Sequence, residues 1–445
     1  MSSALVVGPT FRHGVHPSEH KEGTEHLPSQ RMPFVSTYII PLSQHLGAPA
    51  KAVVREGERV TRGQIIAEPG AFVSTYHHSP VTGWVRAVAP RRHASGQLMP
   101  AIEIEADPYA TQRFAPKPPI DWRSLTSKEF AAEVQKAGLV GMGGAAFPSH
   151  VKYAGLEEGA VKALLVNGSE CEPYLTNDHR TMLERPEAVL RGTAIVREKI
   201  GAEKAVIGVE MNKPDAIEAL RSRVEPSSSI EVVPLKVKYP QGAEKMLINA
   251  IFGLEVPAGK LPIDIGMVVN NIGTMAALAD YFDTGLPLIE RVLTVAGPAV
   301  DTPANLLVPI GTPVREVLDF CGGLKEDTKE VILGGPMMGQ PTSSLDVPTM
   351  KGNSGILAFT ETETVRPTEY ACVKCGRCAE ACPYFLNPSL LGRLSRARRF
   401  EDAEEVFVMD CMECGSCTYA CPSSIPLVQL IRVAKTEIRK KARKG

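Results

Sequence analysis

Hydrophobic and polar positions change their pattern three times along the chain. Between residues 34 and 106, short runs of valine and isoleucine alternate with polar residues, and glycines separate the runs. Short strands with regular glycine turns predict a small all-β sandwich or barrel. Between residues 125 and 290, short apolar runs such as VKALLVNG (residues 161–168) alternate with segments of helical spacing such as residues 181–200. Strands that alternate with helices predict a parallel sheet covered on both faces.

Two further modules follow the α/β domain. In the first, short strands, glycine turns and one helix predict a small α+β fold, and in the second the chain is cysteine-rich and helical. The prolines of DPYATQRFAPKPPID, before the α/β domain, indicate an extended linker. The predicted fold class is multidomain α/β + β, with a β domain at 1–110, a linker at 111–124, the α/β domain at 125–290, the α+β module at 291–358 and the cysteine-rich domain at 365–445.

Composition and charge exclude several classes of protein. The chain has 445 residues and a formal net charge of −1. Proteins that bind nucleic acid usually carry a strong basic excess, so no nucleic-acid partner is expected. The apolar runs are shorter than the roughly 18–20 residues of a membrane span. The first residues, MSSALVVGPTFRHG, lack a basic stretch followed by an apolar core. We therefore expect a chain that folds in the cytoplasm, with docking to a membrane still open.

Eight of the ten cysteines lie in two copies of one motif near the C-terminal end. The motif Cys-x2-Cys-x2-Cys-x3-Cys-Pro begins at Cys372 and again at Cys411. This run holds two [4Fe–4S] clusters in bacterial-type ferredoxins, where the fourth cysteine ligates the other cluster. We therefore assign cluster one to Cys372, Cys375, Cys378 and Cys421, and cluster two to Cys411, Cys414, Cys417 and Cys382.

A pair of zinc sites is the competing interpretation of these cysteines. Zinc sites use one or two Cys-x2-Cys pairs and often histidine, but no histidine follows His179. The repeated four-cysteine spacing therefore favours clusters that carry single electrons. Hydride donors deliver two electrons and clusters move one, so a flavin commonly connects them. The α/β domain is the place where we expect its site.

The N-terminal β domain resembles a biotinyl- or lipoyl-type barrel-sandwich hybrid. The stretches REGERVTRGQIIAE and SPVTGWVRAVAP resemble the two halves of that fold. Carrier domains of this type attach their cofactor to a lysine in a hairpin, but residues 63–85 contain no lysine. We therefore expect the domain to pack or dock rather than to carry a cofactor.

A glycine-rich run, GLVGMGGAAFPSHVK (residues 138–152), is the first candidate for a nucleotide site. Gly141, Gly143 and Ala146 fit the dinucleotide fingerprint G-x-G-x-x-G/A, which normally follows a strand and begins a helix. Here the preceding segment has helical spacing and Pro148 follows closely, which disfavours an ordinary Rossmann loop. The final Lys-Ser/Thr of a P-loop is also missing.

Four segments resemble, in the same order, the FMN- and NADH-binding subunit of respiratory complex I. They are GMGGAAFPSHVK, NGSECEP, YPQGAEKMLINAIFG and VVNNIGTMAAL. Residues 291–339 resemble the β-grasp module that follows in that family. The resemblance implies a Rossmann-like α/β domain that binds FMN non-covalently and takes NADH as its substrate. It also implies that the next module is a β-grasp of the SLBB type.

The whole arrangement resembles the RnfC family of the Rnf ion-translocating electron-transport complexes. The flavin subunit of complex I has one cluster motif, so the doubled motif favours Rnf, as do HPSEHKEGTE and PLSQHLGAPAKAVVREGERV near the start. The resemblance implies a peripheral subunit on the cytoplasmic side of the cell membrane. Its implied partners are NAD(H) and the other Rnf subunits, especially the ferredoxin-like iron–sulfur subunit. Electrons would pass between NADH, FMN and the two clusters. The hydride transfer from NADH to FMN would need no general base.

The resemblance also implies roles for individual residues. The glycines would let the backbone approach the nucleotide, Phe147 would stack near the adenine or the isoalloxazine edge, and Lys152 would offer charge. The asparagines and threonine after the last strand would hold the FMN phosphate, helped by a helix N-terminus. The others would line the pocket. The set is Gly141, Gly143, Gly144, Phe147, Lys152, Asn167, Glu170, Glu172, Tyr239, Gly242, Glu244, Asn270, Asn271 and Thr274.

Each of these residues also has a plain structural interpretation. Asn167 could be a turn residue after a strand, and Glu170 and Glu172 could belong to a solvated loop. Asn270 and Asn271 could cap the following helix. The functional interpretation rests on the ordered set rather than on any single residue.

Other positions weigh on these predictions. Ser169 and Ala243 replace acidic residues of the complex I pattern, which leaves nucleotide preference open. Cys171 and Cys321, outside the motifs, are expected to be buried apolar residues rather than ligands. The basic run RVAKTEIRKKARK (residues 432–444) is either a solvated helix face or a docking surface for anionic lipid or an acidic redox partner.

Two other functions share these features. Corrin reductases have the same flavin and iron–sulfur core, but in them the barrel-sandwich segment lies elsewhere in the chain. An adaptor whose clusters relay electrons beside a vestigial flavin site would not be an enzyme. A flavin absorbance band that bleaches with NADH separates the adaptor from the two enzymes.

Overall fold

The computed structural model describes residues 8–157, 159–365 and 367–442. A barrel-sandwich domain, a parallel α/β domain, a mixed-sheet module and a helical cysteine-rich domain occur in that order, as predicted. Across these ranges we find no helix of the length and apolarity that a membrane crossing requires.

The barrel-sandwich domain has two antiparallel sheets around one small core. Four strands are joined in the order β2-β8-β7-β4 and three in the order β3-β5-β6. Gly57 and Gly63 make the predicted turns with φ of 82° and 84°, a region that favours glycine. The strands, with one that precedes the domain, are β1 (Ser29–Arg31), β2 (Thr37–Pro41), β3 (Lys51–Ala52), β4 (Arg59–Val60), β5 (Ile65–Glu68), β6 (His77–His78), β7 (Gly83–Arg92) and β8 (Leu98–Ala106).

The α/β domain has one fully parallel sheet in the order β11-β10-β9-β12. Because carboxyl ends of parallel strands meet at one edge, Asn167 at the end of β9 lies in register with Asn271 at the end of β12. Residues 111–124, before the domain, form neither helix nor strand. The elements are α1 (Ser127–Lys136), β9 (Ala163–Gly168), α2 (Asn177–Glu184), α3 (Pro186–Lys199), β10 (Lys204–Glu210), α4 (Pro214–Arg221), β11 (Ile230–Leu235), α5 (Glu244–Phe252), β12 (Met267–Asn271) and α6 (Ile272–Thr284).

One helix prediction in this domain is wrong in detail. Residues 181–200 have continuous helical spacing, but the structure divides them between α2 and α3 at Arg185. Pro186 occupies the first turn of α3, where its missing N–H costs nothing, but it cannot continue α2. The predicted helix before the glycine-rich run is confirmed as α1, which Thr126 caps through a reciprocal bond with Glu129.

The mixed-sheet module recruits a strand from far away in the sequence. Its sheet has the order β1-β14-β13-β17-β15-β16, and β1 pairs in parallel with β14, so that Gln30 lies opposite Leu306. No local pattern predicted this edge strand. The module's own elements are β13 (Glu290–Ala296), β14 (Ala304–Pro309), α7 (Val314–Phe320), β15 (Thr328–Leu333), β16 (Gln340–Thr342), β17 (Gly355–Thr360) and α8 (Glu361–Thr364).

The cysteine-rich domain folds its two motifs with the same backbone. Lys374 and Gly376 have φ of 55° and 81°, and the equivalent Glu413 and Gly415 have 62° and 81°. Each motif therefore turns at the same two positions, on either side of its second cysteine. The helices are α9 (Arg377–Glu380), α10 (Pro388–Arg396), α11 (Phe400–Glu405), α12 (Ser416–Tyr419) and α13 (Leu427–Ala442).

Candidate functional site

The predicted pocket residues gather at the carboxyl edge of the parallel sheet. A Cβ atom on Gly143 would lie 3.5 Å from the Asn271 amide, and one on Gly242 would lie 3.1 Å from the Asn167 amide. The glycine-rich run and the loop before α5 thus each lie against one of the two strand-end asparagines. Glycine at both positions lets backbone, rather than side chain, face whatever binds there.

The glycine-rich run is a closed loop held by one buried hydroxyl. Gly141 N donates to Phe147 O (2.8 Å), and the exposed Gly144 adopts φ of 127°. Met142 N donates to Thr274 Oγ1 (3.0 Å), which in turn donates to Val140 O (3.1 Å). Thr274 therefore positions the loop, and a phosphate contact of this hydroxyl would compete with those bonds.

The two asparagines after β12 behave differently. Asn271 caps α6, since its Oδ1 accepts from Gly273 N (2.8 Å), and its Nδ2 donates to Asp178 Oδ2 (2.6 Å). Asn270 is only 4% exposed, yet its Nδ2 has no hydrogen-bond partner within the described ranges, and the buried Ser169 Oγ has none there either. Buried polar groups normally have partners. Their lack of one fits a polar ligand such as the FMN that the resemblance implies.

Lys152 and Glu244 form a charged pair beside the pocket. Lys152 Nζ donates to Val269 O (2.6 Å) and lies 3.7 Å from Glu244 Oε2. Their side chains are 23% and 42% exposed, so solvent screens the attraction. Phe147, within the glycine-rich run, is half-buried. The structure thus brings together two predicted residues that are far apart in sequence.

Glu170 does not belong to a solvated loop. Its backbone is left-handed (φ 52°), and its carboxylate accepts from Asp178 N (2.6 Å) and His179 N (3.3 Å) at the start of α2. A carboxylate there complements the positive end of the helix dipole. Burial raises the pKa of Glu170 to about 7, against the pull of Lys21. The Glu170 carboxylate therefore stabilises the N-terminal end of helix α2.

Glu172 and Asn167 connect the same loop to its surroundings. Glu172 Oε2 accepts from Met337 N (2.9 Å) in the mixed-sheet module, and burial raises its pKa to about 7. Asn167 Nδ2 donates to Gly242 O (2.8 Å), and its Oδ1 accepts from Ser169 N (3.0 Å). These two side chains therefore hold the loop of residues 169–176 at its start and near its middle.

Tyr239 connects the pocket wall to the cysteine-rich domain. It is 1% exposed, and its hydroxyl donates to Cys414 O (2.8 Å). Cys171 packs in the same apolar cluster and accepts a hydrogen bond from Gly242 N (3.4 Å). Tyr239 thus acts as a bridge between the loop that carries Gly242 and a cysteine assigned to cluster two.

Four cysteines surround one open cavity of about 370 Å³ in the cysteine-rich domain. Apolar side chains such as Leu391 and Ile431 line the rest of its wall. The fourth cysteine of the first motif joins the first three of the second motif, which is the crosswise set that two-cluster ferredoxins use. This donor set fits a [4Fe–4S] cluster. The four are Cys382, Cys411, Cys414 and Cys417.

The other four cysteines of the two motifs lie closer to the surface. Cys372 and Cys375 are exposed, and Cys378 and Cys421 are partly buried. Ser423 Oγ donates to the carbonyl of Ala371 (3.1 Å), which ties the chain after Cys421 to the chain before Cys372. The assigned cluster one therefore lies near solvent, and the assigned cluster two lies against the α/β domain.

Sequence reasoning missed several buried charged residues around the pocket. Lys21 and Lys213 are 4% and 1% exposed, and both donate to backbone carbonyls of residues 169–175. Arg291 and Asp178 line an open cleft that Met142 of the glycine-rich run also borders. Asp178, Lys213 and Arg291 lie outside the four segments that resemble the flavin subunit of complex I. Lys21 lies within HPSEHKEGTE, but that segment indicated only the family and no role at the pocket.

Family models match the chain over consecutive segments. They are described as the RnfC barrel sandwich hybrid domain (residues 9–109), the Nuo51 FMN-binding domain (residues 134–280), the SLBB domain (residues 292–341) and the 4Fe-4S dicluster domain (residues 364–422). The order and type of these domains confirm the predicted fold class. They also confirm FMN and two iron–sulfur clusters as the cofactors.

Curated relatives match over nearly the full length. The chain is 46% identical to the C subunit of a proton-translocating ferredoxin:NAD(+) oxidoreductase complex of Clostridium ljungdahlii, over 97% of this chain and 94% of that protein. It is 45% identical to the C subunit of the Na(+)-translocating complex of Acetobacterium woodii, over 98% of both chains. The C subunit of an ion-translocating oxidoreductase complex of Rhodobacter capsulatus is 42% identical over 96% of this chain and 83% of its own length.

A solved structure shares the fold at low sequence identity. An NAD+-reducing [NiFe]-hydrogenase in the H2-reduced state matches with a TM-score of 0.50 and 20% identity, over 71% of this chain and 63% of that chain. The identities to the curated relatives, over nearly the whole length, decide the family. The chain belongs to the RnfC family of the Rnf-type ion-translocating oxidoreductase complexes.

Proposed function

We propose that this chain is the electron-input subunit of a membrane-bound, ion-translocating NADH:ferredoxin-type oxidoreductase. It passes electrons between NADH, FMN and two [4Fe–4S] clusters, in either direction. As a member of the RnfC family, it is one subunit of a multi-subunit complex.

The observation that carries the proposal is the contact between the flavin pocket and cluster two. The Tyr239 hydroxyl donates to Cys414 O, and the same loop presents Gly242 to the pocket. A nucleotide site and a redox centre that share a wall are arranged for electron transfer between them. An adaptor with a vestigial flavin site has no need of this contact.

The pocket residues would bind FMN and NADH rather than react with them. When bound, FMN supplies the conversion between two-electron hydride chemistry and one-electron transfer. Asn270 Nδ2, which lies near the Tyr153 hydroxyl, and Ser169 Oγ are buried donors that the ring or ribityl groups of FMN would satisfy. Lys152 and the N-terminus of α6, capped by Asn271, favour a negatively charged phosphate nearby.

The burial of the cysteines supports an order for the two clusters. Cluster two is next to the flavin, and cluster one, with Cys372 and Cys375 exposed, is the exit towards a partner. Tyr370 and Val373, which flank these cysteines, are 65% and 68% exposed. We propose that the ferredoxin-like iron–sulfur subunit docks over this surface. The protein would then lie peripherally on the cytoplasmic side of the membrane, with NAD(H) binding at the flavin pocket, at the other end of the electron-transfer path from cluster one.

Part of the basic C-terminal helix has a structural role instead. Lys435 is 5% exposed, donates to Cys411 O (2.6 Å) and pairs with Glu413 (2.8 Å). It therefore supports the cluster two loop. Arg439 and Lys441 are exposed, so an acidic partner or lipid can reach them. Partner reduction that weakens as salt rises would support this use, because exposed charges are screened within about 10 Å at 0.1 M salt.

An anaerobic NADH titration of the purified protein tests the proposal. We expect the flavin absorbance to bleach and an EPR signal from reduced clusters to follow. Asn270→Ala should lower the bound FMN, since it removes a pocket donor, whereas Asn249→Ala, towards the C-terminal end of α5, should not. Cluster colour without any NADH response in the wild-type protein would refute the proposal and favour the adaptor.

A further inference from the structure

The N-terminal segment, residues 9–28, lies across the pocket loop rather than within the barrel. Val15 pairs with Tyr239 in an isolated antiparallel bridge, and Tyr174 N donates to Glu19 O (2.8 Å). The ring of His20 stacks on Tyr174 at 4.8 Å between centroids. The segment then continues into β1 of the mixed-sheet module. It therefore binds the loop of residues 169–176 from outside.

Lys21 inserts from this segment into the loop. Its side chain is buried, and Nζ donates to the carbonyls of Glu170 (3.1 Å), Glu172 (3.0 Å) and Leu175. An ammonium has three donors, so these three bonds use all of them. All three hydrogen-bond acceptors of Lys21 are therefore backbone carbonyls of one short loop, and they lie around its Nζ atom.

A second buried lysine holds the start of the same loop. Lys213 Nζ donates to Ser169 O (2.8 Å) and Asn212 Oδ1 (2.9 Å), and it pairs with Glu210 at 3.5 Å. Two ammonium groups thus hold the carbonyls of the loop on one side. The carboxylates of Glu170 and Glu172 accept hydrogen bonds from α2 and from Met337 N. They remain close enough to Lys21 for its charge to lower their pKa against the effect of burial.

We propose that Lys21 is a positioning residue of the NADH and FMN site. Its three hydrogen bonds hold the backbone of residues 169–176 in the shape that keeps the Asn167 and Ser169 side of the pocket in register with the glycine-rich run. Hydride transfer depends on this placement, because a displacement of about 1 Å can cost roughly 100-fold in rate. The inference rests on the proposed function, since it concerns the same site.

Lys21→Met tests the inference, with Lys199→Met as the matched control. Lys199 also donates to backbone carbonyls, those of Arg123 and Leu125, but far from the loop. In Lys21→Met we expect amide hydrogen exchange in residues 169–176 to rise at least about tenfold, because the loop loses its three donors. We expect flavin bleaching by NADH to slow about tenfold or more per bound FMN, after the FMN content of each variant has been measured, with the iron content unchanged. Lys199→Met should leave all four measurements as in the wild type.

Lys21→Gln keeps the test decisive if the methionine variant does not fold. Glutamine has two N–H donors where lysine has three, so we expect a several-fold slower bleaching and a smaller rise in exchange. Wild-type exchange and bleaching in either folded variant would overturn the role of Lys21. A wild-type protein whose flavin does not bleach with NADH would instead overturn the proposed function. The two failures are therefore distinguishable.

Discussion

The crosswise ligation of the two clusters can be tested by replacing Cys382 with alanine. Cys382 is the fourth cysteine of the first motif, but its side chain lines the cavity of the second motif with Cys411, Cys414 and Cys417. We therefore expect Cys382→Ala to damage cluster two and to leave cluster one intact. Two [4Fe–4S] clusters contain about eight iron atoms, so iron should fall towards about four per chain.

The assay compares this variant with a ligand of each cluster. Iron content and the EPR spectrum of the dithionite-reduced protein are measured for Cys382→Ala, Cys414→Ala and Cys375→Ala. The first two should lose the same signal, and the third should lose the other. Cys321→Ala is the control, since Cys321 is 2% exposed in the core of the mixed-sheet module. A Cys382→Ala spectrum that matches Cys375→Ala would refute the crosswise assignment.

The same variants also test the order of the clusters. The cysteines assigned to cluster two lie next to the candidate flavin pocket through Tyr239, and those assigned to cluster one lie closer to the surface. With NADH as the reductant, Cys382→Ala should still bleach its flavin, but cluster one should stay oxidised over the time of the wild-type reaction. Cys421→Ala should still show reduced cluster two. NADH reduction of cluster one at the wild-type rate in Cys382→Ala would contradict this order.

Three further substitutions have defined outcomes. Tyr239→Phe leaves the buried Cys414 carbonyl without its donor, which should weaken this contact by about 1–3 kcal/mol; faster iron loss to a chelator, with FMN unchanged, measures it. Burial raises the pKa of Glu172 from 4.5 to about 7, so the folded state favours the protonated carboxyl. The stability that the Glu172 side chain contributes is therefore full below pH 4.5 and is lost as pH rises through 7. Glu172→Gln cannot ionise, and its thermal midpoint should therefore exceed that of the wild type at about pH 8 and nearly match it at about pH 5; an equal difference at both would contradict this. Gly144→Ala places a side chain at φ 127°, which should cost about 1–3 kcal/mol and lower FMN content, whereas Gly23→Ala, with open space around it, should not.

Prediction from the sequence worked best where function depends on local spacing. The two cysteine motifs are separate short segments, and the backbone turns at Gly376 and Gly415 repeat because the spacing repeats. Similarly, the period of apolar residues predicted the strands and helices of the α/β domain. Pro186 indicates a helix boundary, but the helical spacing on both sides of it favoured one continuous helix, which the structure does not have.

The candidate flavin site was predictable as a set of loops but not in its detailed contacts. Asn167, Asn271 and the two glycine loops do meet at one sheet edge, because carboxyl ends of parallel strands share that edge. The bonds of Glu170 to α2 and of Thr274 to the glycine-rich run depend on side-chain directions that spacing does not specify. Their individual roles towards FMN and NADH stay predictions.

By itself, the sequence determined the cluster type, the order of the domains and the need for a flavin, because these follow from residues that are close together. Only the tertiary structure showed that the cysteines assigned to cluster two lie beside the candidate flavin pocket, and which residues hold the pocket loop. Tyr239 and Cys414 are 175 residues apart, and Lys21 and Leu175 are 154 apart. Such pairs form only after separate domains have packed against each other, and the buried polar groups at those interfaces then need partners that no local pattern encodes.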